Sequence, residues 1–251
     1  MALSSPQRCV LRVRNIQDQC WLVTGASRGL GYAIAQKAAA SGARVARLSR
    51  GEPPQVQADD QSLTLRADVT DPESLALAVK KVVDVWGNID VLVNNAGLHR
   101  GGFVDQIDLA DFAAVQDANV LGPINAVRAV LPHFPETGGA IVNIGAVVGM
   151  RGFAGDVAYG SSKAALAGMT RVLAVELARR NICVNLVLPG FVSTEMTVQI
   201  PEKARAKIVD GIPLRREGTT EEIADVVYWV AQSRYMTGST VATDGGLMCK
   251  L

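Results

Sequence analysis

Cys20-Trp21-Leu22-Val23-Thr24 runs directly into Gly25-Ala26-Ser27-Arg28-Gly29-Leu30-Gly31, and that junction decides how the chain is read. The first five residues are an apolar run of strand length. The next seven form a glycine-rich turn that opens a helical pattern. In this context glycines permit a tight turn and a close approach of main-chain N–H groups to a phosphate, which then lies at the positive end of the helix. The alternative is an ordinary strand–helix connection.

Working outward, apolar runs of strand length alternate with longer helical patterns. Strands are expected at 20–24, 44–48, 63–66, 89–94, 140–145, 183–188 and 239–243. Helices are expected over 29–41, 72–86, 108–134, 157–180 and 220–232. Stretches such as Val91-Leu92-Val93 and Ile141-Val142 are apolar without alternation, which suits a parallel sheet buried on both faces. The pattern predicts an α/β fold, a doubly wound parallel sheet with helices on both faces. No linker or repeat divides it, so residues 18–251 are expected to form one domain behind an arm of residues 1–17. Asp71-Pro72-Glu73 and Thr219-Thr220-Glu221-Glu222 are helix-start signals.

Composition narrows the function classes. The chain has 251 residues, 49% of them hydrophobic, and a net charge of +1. No global field favours nucleic acid or an anionic membrane, and no apolar run reaches the roughly 18 residues of a membrane span. Cys9, Cys20, Cys183 and Cys249 form no paired motif and read as reduced thiols. A cytosolic location is expected. Arg8, Arg12 and Arg14, with no acid before Asp18, faintly suggest a mitochondrial or plastid segment as the alternative.

Which dinucleotide the glycine turn would hold is written at the end of the second strand. An NAD site places an acid there for the ribose hydroxyls. Here the strand ends Arg47-Leu48-Ser49-Arg50, with no acid before Glu52. Arg28 in the turn, Ser49 and Arg50 suit a doubly charged 2′-phosphate, so the expected cofactor is NADP(H). Arg50 could instead be a solvated turn residue.

About 130 residues after the turn stand Tyr159 and Lys163, one helical turn apart and on one face. An ammonium near a phenol lowers its pKa, making Tyr159 a proton donor or acceptor. Upstream, Pro123 lacks the N–H that would bond the carbonyl of Asn119, so that oxygen is released from the helix ladder. The resulting bend either holds a water or serves packing alone.

Thr24–Gly31, Asn94-Asn95-Ala96-Gly97, Asn119, Tyr159-xxx-Lys163 and Pro189-Gly190 together resemble the ordered motifs of the short-chain dehydrogenase/reductase family, from about residue 18 onward. Within it, the 189–196 segment, Ile212-Pro213-Leu214 and Asp244-Gly245-Gly246 are most similar to 3-oxoacyl-[acyl carrier protein] reductases. The resemblance implies a Rossmann-like fold and an NADPH-dependent reduction of a 3-oxoacyl thioester. It implies Tyr159 as general acid and Lys163 as ligand of the nicotinamide ribose, with the Asn119 carbonyl holding a relay water. Gly25, Ser27, Arg28, Gly29, Leu30 and Gly31 would cradle the pyrophosphate. Asp68 and Val69 would flank the adenine, and Asn94, Ala96 and Gly97 would line the cleft. Pro189, Gly190, Val192 and Thr194 would receive the carboxamide, and the segment from 195 to about 215 would be a substrate lid. A homotetramer is implied, packed through helices 108–134 and 157–180, with Ala164, Leu166, Met169, Leu173 and Leu177 offered as the contact face or as monomer core.

One position departs from the family. Where its pattern has a serine, this chain has Ala146, and a methyl group donates nothing to a carbonyl becoming an alkoxide. One lost donor of that kind costs about 10²–10³ in rate, so an impaired reductase is expected and Ala146→Ser should restore about 10²-fold. Ser161 and Ser162 lie on the helix of Tyr159 and point elsewhere. Two other readings stay open: an oxidoreductase of a free carbonyl or secondary alcohol, and a weak NADP-binding subunit of a hetero-oligomer. His99 is either a substrate contact or a loop histidine. His133 and Arg179-Arg180 suit helix ends, the arginines also suiting an acidic carrier. Trp21, Trp86 and Trp229 suit packing, and no metal site is evident.

Overall fold

Seven parallel strands form one sheet, and each is followed or preceded by a helix that covers it. The computed structural model describes residues 15–51, 61–194, 197 and 200–249. The strands are β1 (Cys20–Thr24), β2 (Arg44–Ser49), β3 (Ser62–Arg66), β4 (Val91–Asn94), β5 (Gly139–Ile144), β6 (Ile182–Pro189) and β7 (Thr240–Thr243). Their order across the sheet is β3-β2-β1-β4-β5-β6-β7. The order reverses between β1 and β4. A crevice opens at the carboxyl ends of the strands at such a reversal, and the glycine turn after β1 and the Asn94–Gly97 turn after β4 leave the sheet there.

Helices α1 (Gly29–Ala40), α2 (Pro72–Trp86), α3 (Leu109–Gln116), α4 (Gly122–Val130), α5 (Val157–Leu177), α6 (Glu202–Gly211) and α7 (Thr220–Gln232) complete the described elements. The period-two pattern of β1 sends Trp21 and Val23 to one face, packed with Ile34, Ala35, Val227 and Val230. It sends Cys20 and Leu22 to the other, packed with Leu75, Val79, Val127 and Leu177. Both faces are therefore dry, which is why the strands read as continuously apolar. The start of α2 is capped by the Asp71 side chain on the N–H groups of Glu73 and Ser74, with Pro72 at the first position. Thr219 and Glu222 form a reciprocal capping box for α7. Among the described residues no helix is long and apolar enough to cross a membrane.

The expected helix 108–134 is broken into α3, a π turn over Asp117–Leu121, α4 and a 3-10 turn at Leu131–His133. Pro123 is the physical reason. It cannot close a bond to Asn119, and the ladder widens, with Gly122 N–H bonded five residues back to the Asp117 carbonyl. Helix α6 was not expected at all. It has no buried residue and its sequence is polar on every side, so no apolar period marks it. Most of the arm, Cys9 and Glu52 lie outside the described residues, as do 195, 196, 198 and 199 of the lid.

Candidate active site

The glycine turn between β1 and α1 is latched from β4. Thr24 Oγ1 accepts the N–H groups of Asn95 and Ala96, each at 3.1 Å. Asn95 Nδ2 donates to the carbonyls of Thr24 (3.0 Å) and Gly25 (3.1 Å). Gly25 has φ +66, and a Cβ there would lie 2.8 Å from Ala96 Cα. At Gly31 a Cβ would lie 2.3 Å from the Gly25 carbonyl oxygen, so only glycine lets α1 start this close to the strand. Gly29, also at positive φ, has nothing within 4 Å of its missing Cβ and opens outward. No side chain caps the first turn of α1. Its N–H groups, the open face at Gly29 and exposed Ser27 and Arg28 suit an anion.

The end of β2 is brought to this turn by the bond from Ala26 N–H to the Leu48 carbonyl. Ser49 is buried there, and Arg50 is exposed beside it. Asp68 accepts the N–H and hydroxyl of Thr70. Val69 is buried against Gly122 of α4, and Asn125 Nδ2 bonds its carbonyl. Asn94 lies inside rather than along the cleft. It is 3% exposed and donates to Asn143 Oδ1 at 2.9 Å, while its own buried Oδ1 has no hydrogen-bond partner. At β6, a Cβ on Gly190 would strike Asp244 Cα at 2.5 Å, so the two loops touch through backbone. Val192 is buried and Thr194 half-buried just beyond Pro189.

Tyr159 and Lys163 stand one turn apart on α5, as their spacing requires. The Lys163 ammonium is buried, donates to the Ile144 carbonyl at 2.9 Å, and lies 5.5 Å from the centre of the Tyr159 ring. Desolvation dominates both groups. It pushes the Tyr159 phenol up to about 12, with the Asp156 carboxylate adding to the rise, and pulls Lys163 down to about 8. The expected lowering of the phenol by the ammonium is therefore not what the site shows, because burial and a nearby carboxylate outweigh it. At neutral pH the phenol holds its proton. Asn119 is buried in the π turn, where Oδ1 accepts the Leu98 N–H (2.7 Å) and Nδ2 donates to the Leu98 carbonyl and Ser162 Oγ. Gly97 is placed over it, since its missing Cβ would lie 3.2 Å from Asn119 Oδ1 and 3.6 Å from Lys163 Nζ.

A family profile described as enoyl-(acyl carrier protein) reductase matches residues 25–248. The chain is a short-chain dehydrogenase/reductase. It is 39% identical over 243 residues to the 3-oxoacyl-[acyl-carrier-protein] reductase FabG of Thermotoga maritima, covering 93% of this chain and 99% of that one. It is 39% identical to carbonyl reductase family member 4 of Danio rerio, over 90% and 96% of the two chains. Among solved structures, a blue fluorescent protein from a metagenomic library, in complex with NADPH, superposes with a TM-score of 0.86 at 35% identity, over 93% and 99% of the chains.

In this short-chain dehydrogenase/reductase, Ala146 is half-buried at the exit of β5 and leads a 3-10 turn without any side-chain cap. That turn is pressed onto α5, where a Cβ on Gly149 would lie 2.6 Å from Ala164 N. Ser161 Oγ donates to the Ala158 carbonyl and Ser162 Oγ to that of Tyr159, so both are spent on their own helix. His99 Nε2 is 2.8 Å from Asp156 Oδ1, and the imidazole meets the Tyr159 ring edge to face with centres 4.9 Å apart. Asp156 was not singled out in the sequence, and Asn95 and Thr24 entered only as members of the Asn-Asn-Ala-Gly turn and the Thr24–Gly31 motif.

Proposed function

We propose that the chain is an NADPH-dependent reductase of a 3-oxoacyl thioester, giving the 3-hydroxyacyl product. The observation that carries the reading is the desolvated Lys163–Tyr159 pair, set beside an uncapped glycine-turn helix at the sheet's switch point. The relative from Thermotoga maritima, named for this reaction, supports the substrate class. The NADPH-bound structural neighbour supports the cofactor.

The dinucleotide supplies the hydride when bound. Main-chain N–H groups from Gly25 to Gly31, with Leu30 among them, hold its pyrophosphate, and Arg28, Ser49 and Arg50 hold the 2′-phosphate. Asp68 and Val69 flank the adenine. Ala96 and Gly97 form the floor of the cleft, Asn94 supports that floor from within, and Pro189, Gly190, Val192 and Thr194 receive the carboxamide. Tyr159 gives its proton to the carbonyl oxygen. Lys163 binds the ribose and stabilises the phenolate left behind, and the Asn119 carbonyl holds the water that restores the proton. Ala146 withdraws one donor, so the rate depends on what else reaches the carbonyl oxygen. Residues 195 to about 215, which include α6, close over the substrate.

A second reading, reduction of a free carbonyl compound, is favoured by the carbonyl reductase relative. Ala146 favours a third, a weakly active NADP-binding subunit. Initial rates with NADPH on acetoacetyl thioesters beside simple ketones separate them. Faster thioester turnover supports the first reading and the reverse order the second, while tight NADPH binding without turnover supports the third.

The reading includes a homotetramer in the cytosol, where the three described free thiols stay reduced. Of the α5 side chains read as contact face or monomer core, Leu166 and Leu177 are buried in the monomer, Met169 and Leu173 pack against its core, and Ala164 is exposed. Exposed apolar side chains on these helices include Leu109 on α3, Leu121 and Ile124 around α4, and Val157, Val172 and Val175 on α5. Trp229 on α7 and Tyr235 after it are exposed as well.

A further inference from the structure

A histidine, not a hydroxyl, stands closest in character to the donor that Ala146 lacks. His99 lies in a loop fixed from two sides. Asn119 bonds both main-chain groups of Leu98, and Gly102 N–H bonds the Gly155 carbonyl at 2.7 Å, tying the loop to the start of α5. Its ring rests against Tyr159 and is partly open to solvent, with 39% of the side chain exposed. Nε2 is committed to Asp156, and Nδ1 has no hydrogen-bond partner among the described residues. A protonated imidazole has two N–H donors, one for the carboxylate and one left over. The charged and titratable groups around it are Asp156 and Tyr159 at the start of α5, Lys163 over the Tyr159 ring, and Arg100, whose side chain bonds the His99 carbonyl and pairs with Asp111 of α3.

We propose that His99, held through Nε2 by Asp156, donates from Nδ1 to the substrate carbonyl oxygen beside Tyr159, in place of a side chain at position 146. This rests on the reductase reading above. His99 contacts substrate, and Asp156 is its positioning residue. No bond to carbon or hydrogen changes hands at His99, because it stabilises the charge that develops while Tyr159 gives the proton.

The test is a cycle of His99→Phe, Ala146→Ser and the double variant, assayed with NADPH and acetoacetyl-coenzyme A. Phenylalanine keeps the ring contact with Tyr159 and removes the donor. His99→Phe should lower kcat/KM by about 10²-fold, the cost of one such donor. Ala146→Ser should restore most of the loss in the His99→Phe background and raise the parent by a much smaller factor than the roughly 10²-fold that a site without another donor would show. Asp156→Asn should lower kcat/KM in the parent and leave the His99→Phe variant unchanged, because Asp156 acts only through the imidazole. Equal gains from Ala146→Ser in both backgrounds, or no effect of His99→Phe, would overturn the proposal. If the parent turns over no carbonyl, the reductase reading fails by itself, and His99 is judged by calorimetry. Acetoacetyl-coenzyme A should then bind the NADP⁺-loaded protein about tenfold more weakly in His99→Phe, restored by Ala146→Ser. Equal affinities, or no binding to the parent, would sink it.

Discussion

Lys163 should destabilise the protein that needs it. Its side chain is buried, and burial takes its pKa from 10.5 to about 8. The sign follows from proton counting. Between those two values the unfolded chain keeps a proton that the folded chain has lost, so stability rises with pH across that window. Below the folded value the full cost of burying the ammonium is present. With about 1.4 kcal/mol per unit, that cost is roughly 3 kcal/mol at pH 7 and falls to about 1 kcal/mol at pH 10. Lys163→Met removes it but leaves the Ile144 carbonyl without its 2.9 Å partner, a loss of about 1–2 kcal/mol. The variant should therefore be more stable than the parent by about 2 kcal/mol at pH 7 and slightly less stable at pH 10. Urea unfolding followed by circular dichroism, at one protein concentration and without dinucleotide, reads both differences. A gap that stays the same at the two pH values would refute the argument that the ammonium is what burial penalises.

Three further outcomes are expected. The parent should bind NADPH at least tenfold tighter than NADH, about 1.4 kcal/mol, and Arg50→Asp should erase the preference; equal affinities in the parent, measured by fluorescence titration, would remove the 2′-phosphate assignment. Gly31→Ala places a methyl 2.3 Å from the Gly25 carbonyl oxygen, so melting temperature and NADPH affinity should both fall, whereas Gly29→Ala meets no atom within 4 Å and should show only the strain of its φ of +56. Sedimentation should give a tetramer at micromolar concentration that Val175→Asp weakens; a monomeric parent would remove the assembly reading.

The layers of this fold were legible because burial on both faces leaves a plain mark. β1 was read to the residue, and α2 and α7 were bounded by caps whose chemistry is local. Reading failed where no local signal exists. Helix α6 owes nothing to an apolar face, so a pattern search passes over it. Pro123 announced a disturbance at Asn119, but whether the backbone kinks or widens into a π turn is settled by packing around Val69 and Gly122. At the site, spacing placed Tyr159 and Lys163 on one face, yet the direction of the phenol shift depended on Asp156 and on desolvation, neither visible from spacing. The His99–Asp156 contact joins residues 57 apart in the chain, and nothing local to either predicts it.

Several features that oppose folding stability lie at the carboxyl-end edge of the sheet. An ammonium is buried against a single carbonyl, a phenol is driven to about 12, and the buried Asn94 Oδ1 lacks a partner. The π turn also lies at that edge, as does Gly25 at positive φ. Each of these opposes stability, and the dry packing of Leu22, Leu92 and Ile141 just beneath has no use for any of them. Under the proposed reductase reading they lie where proton transfer and anion binding would take place, beside the reversal of strand order. A replacement at position 146 costs nothing in folding, because an extended residue with φ −164 and no capping role accepts alanine or serine alike. The scaffold therefore stays indifferent to whether the carbonyl is met by a hydroxyl at 146 or by an imidazole from the loop after β4, and chemistry alone discriminates between the two.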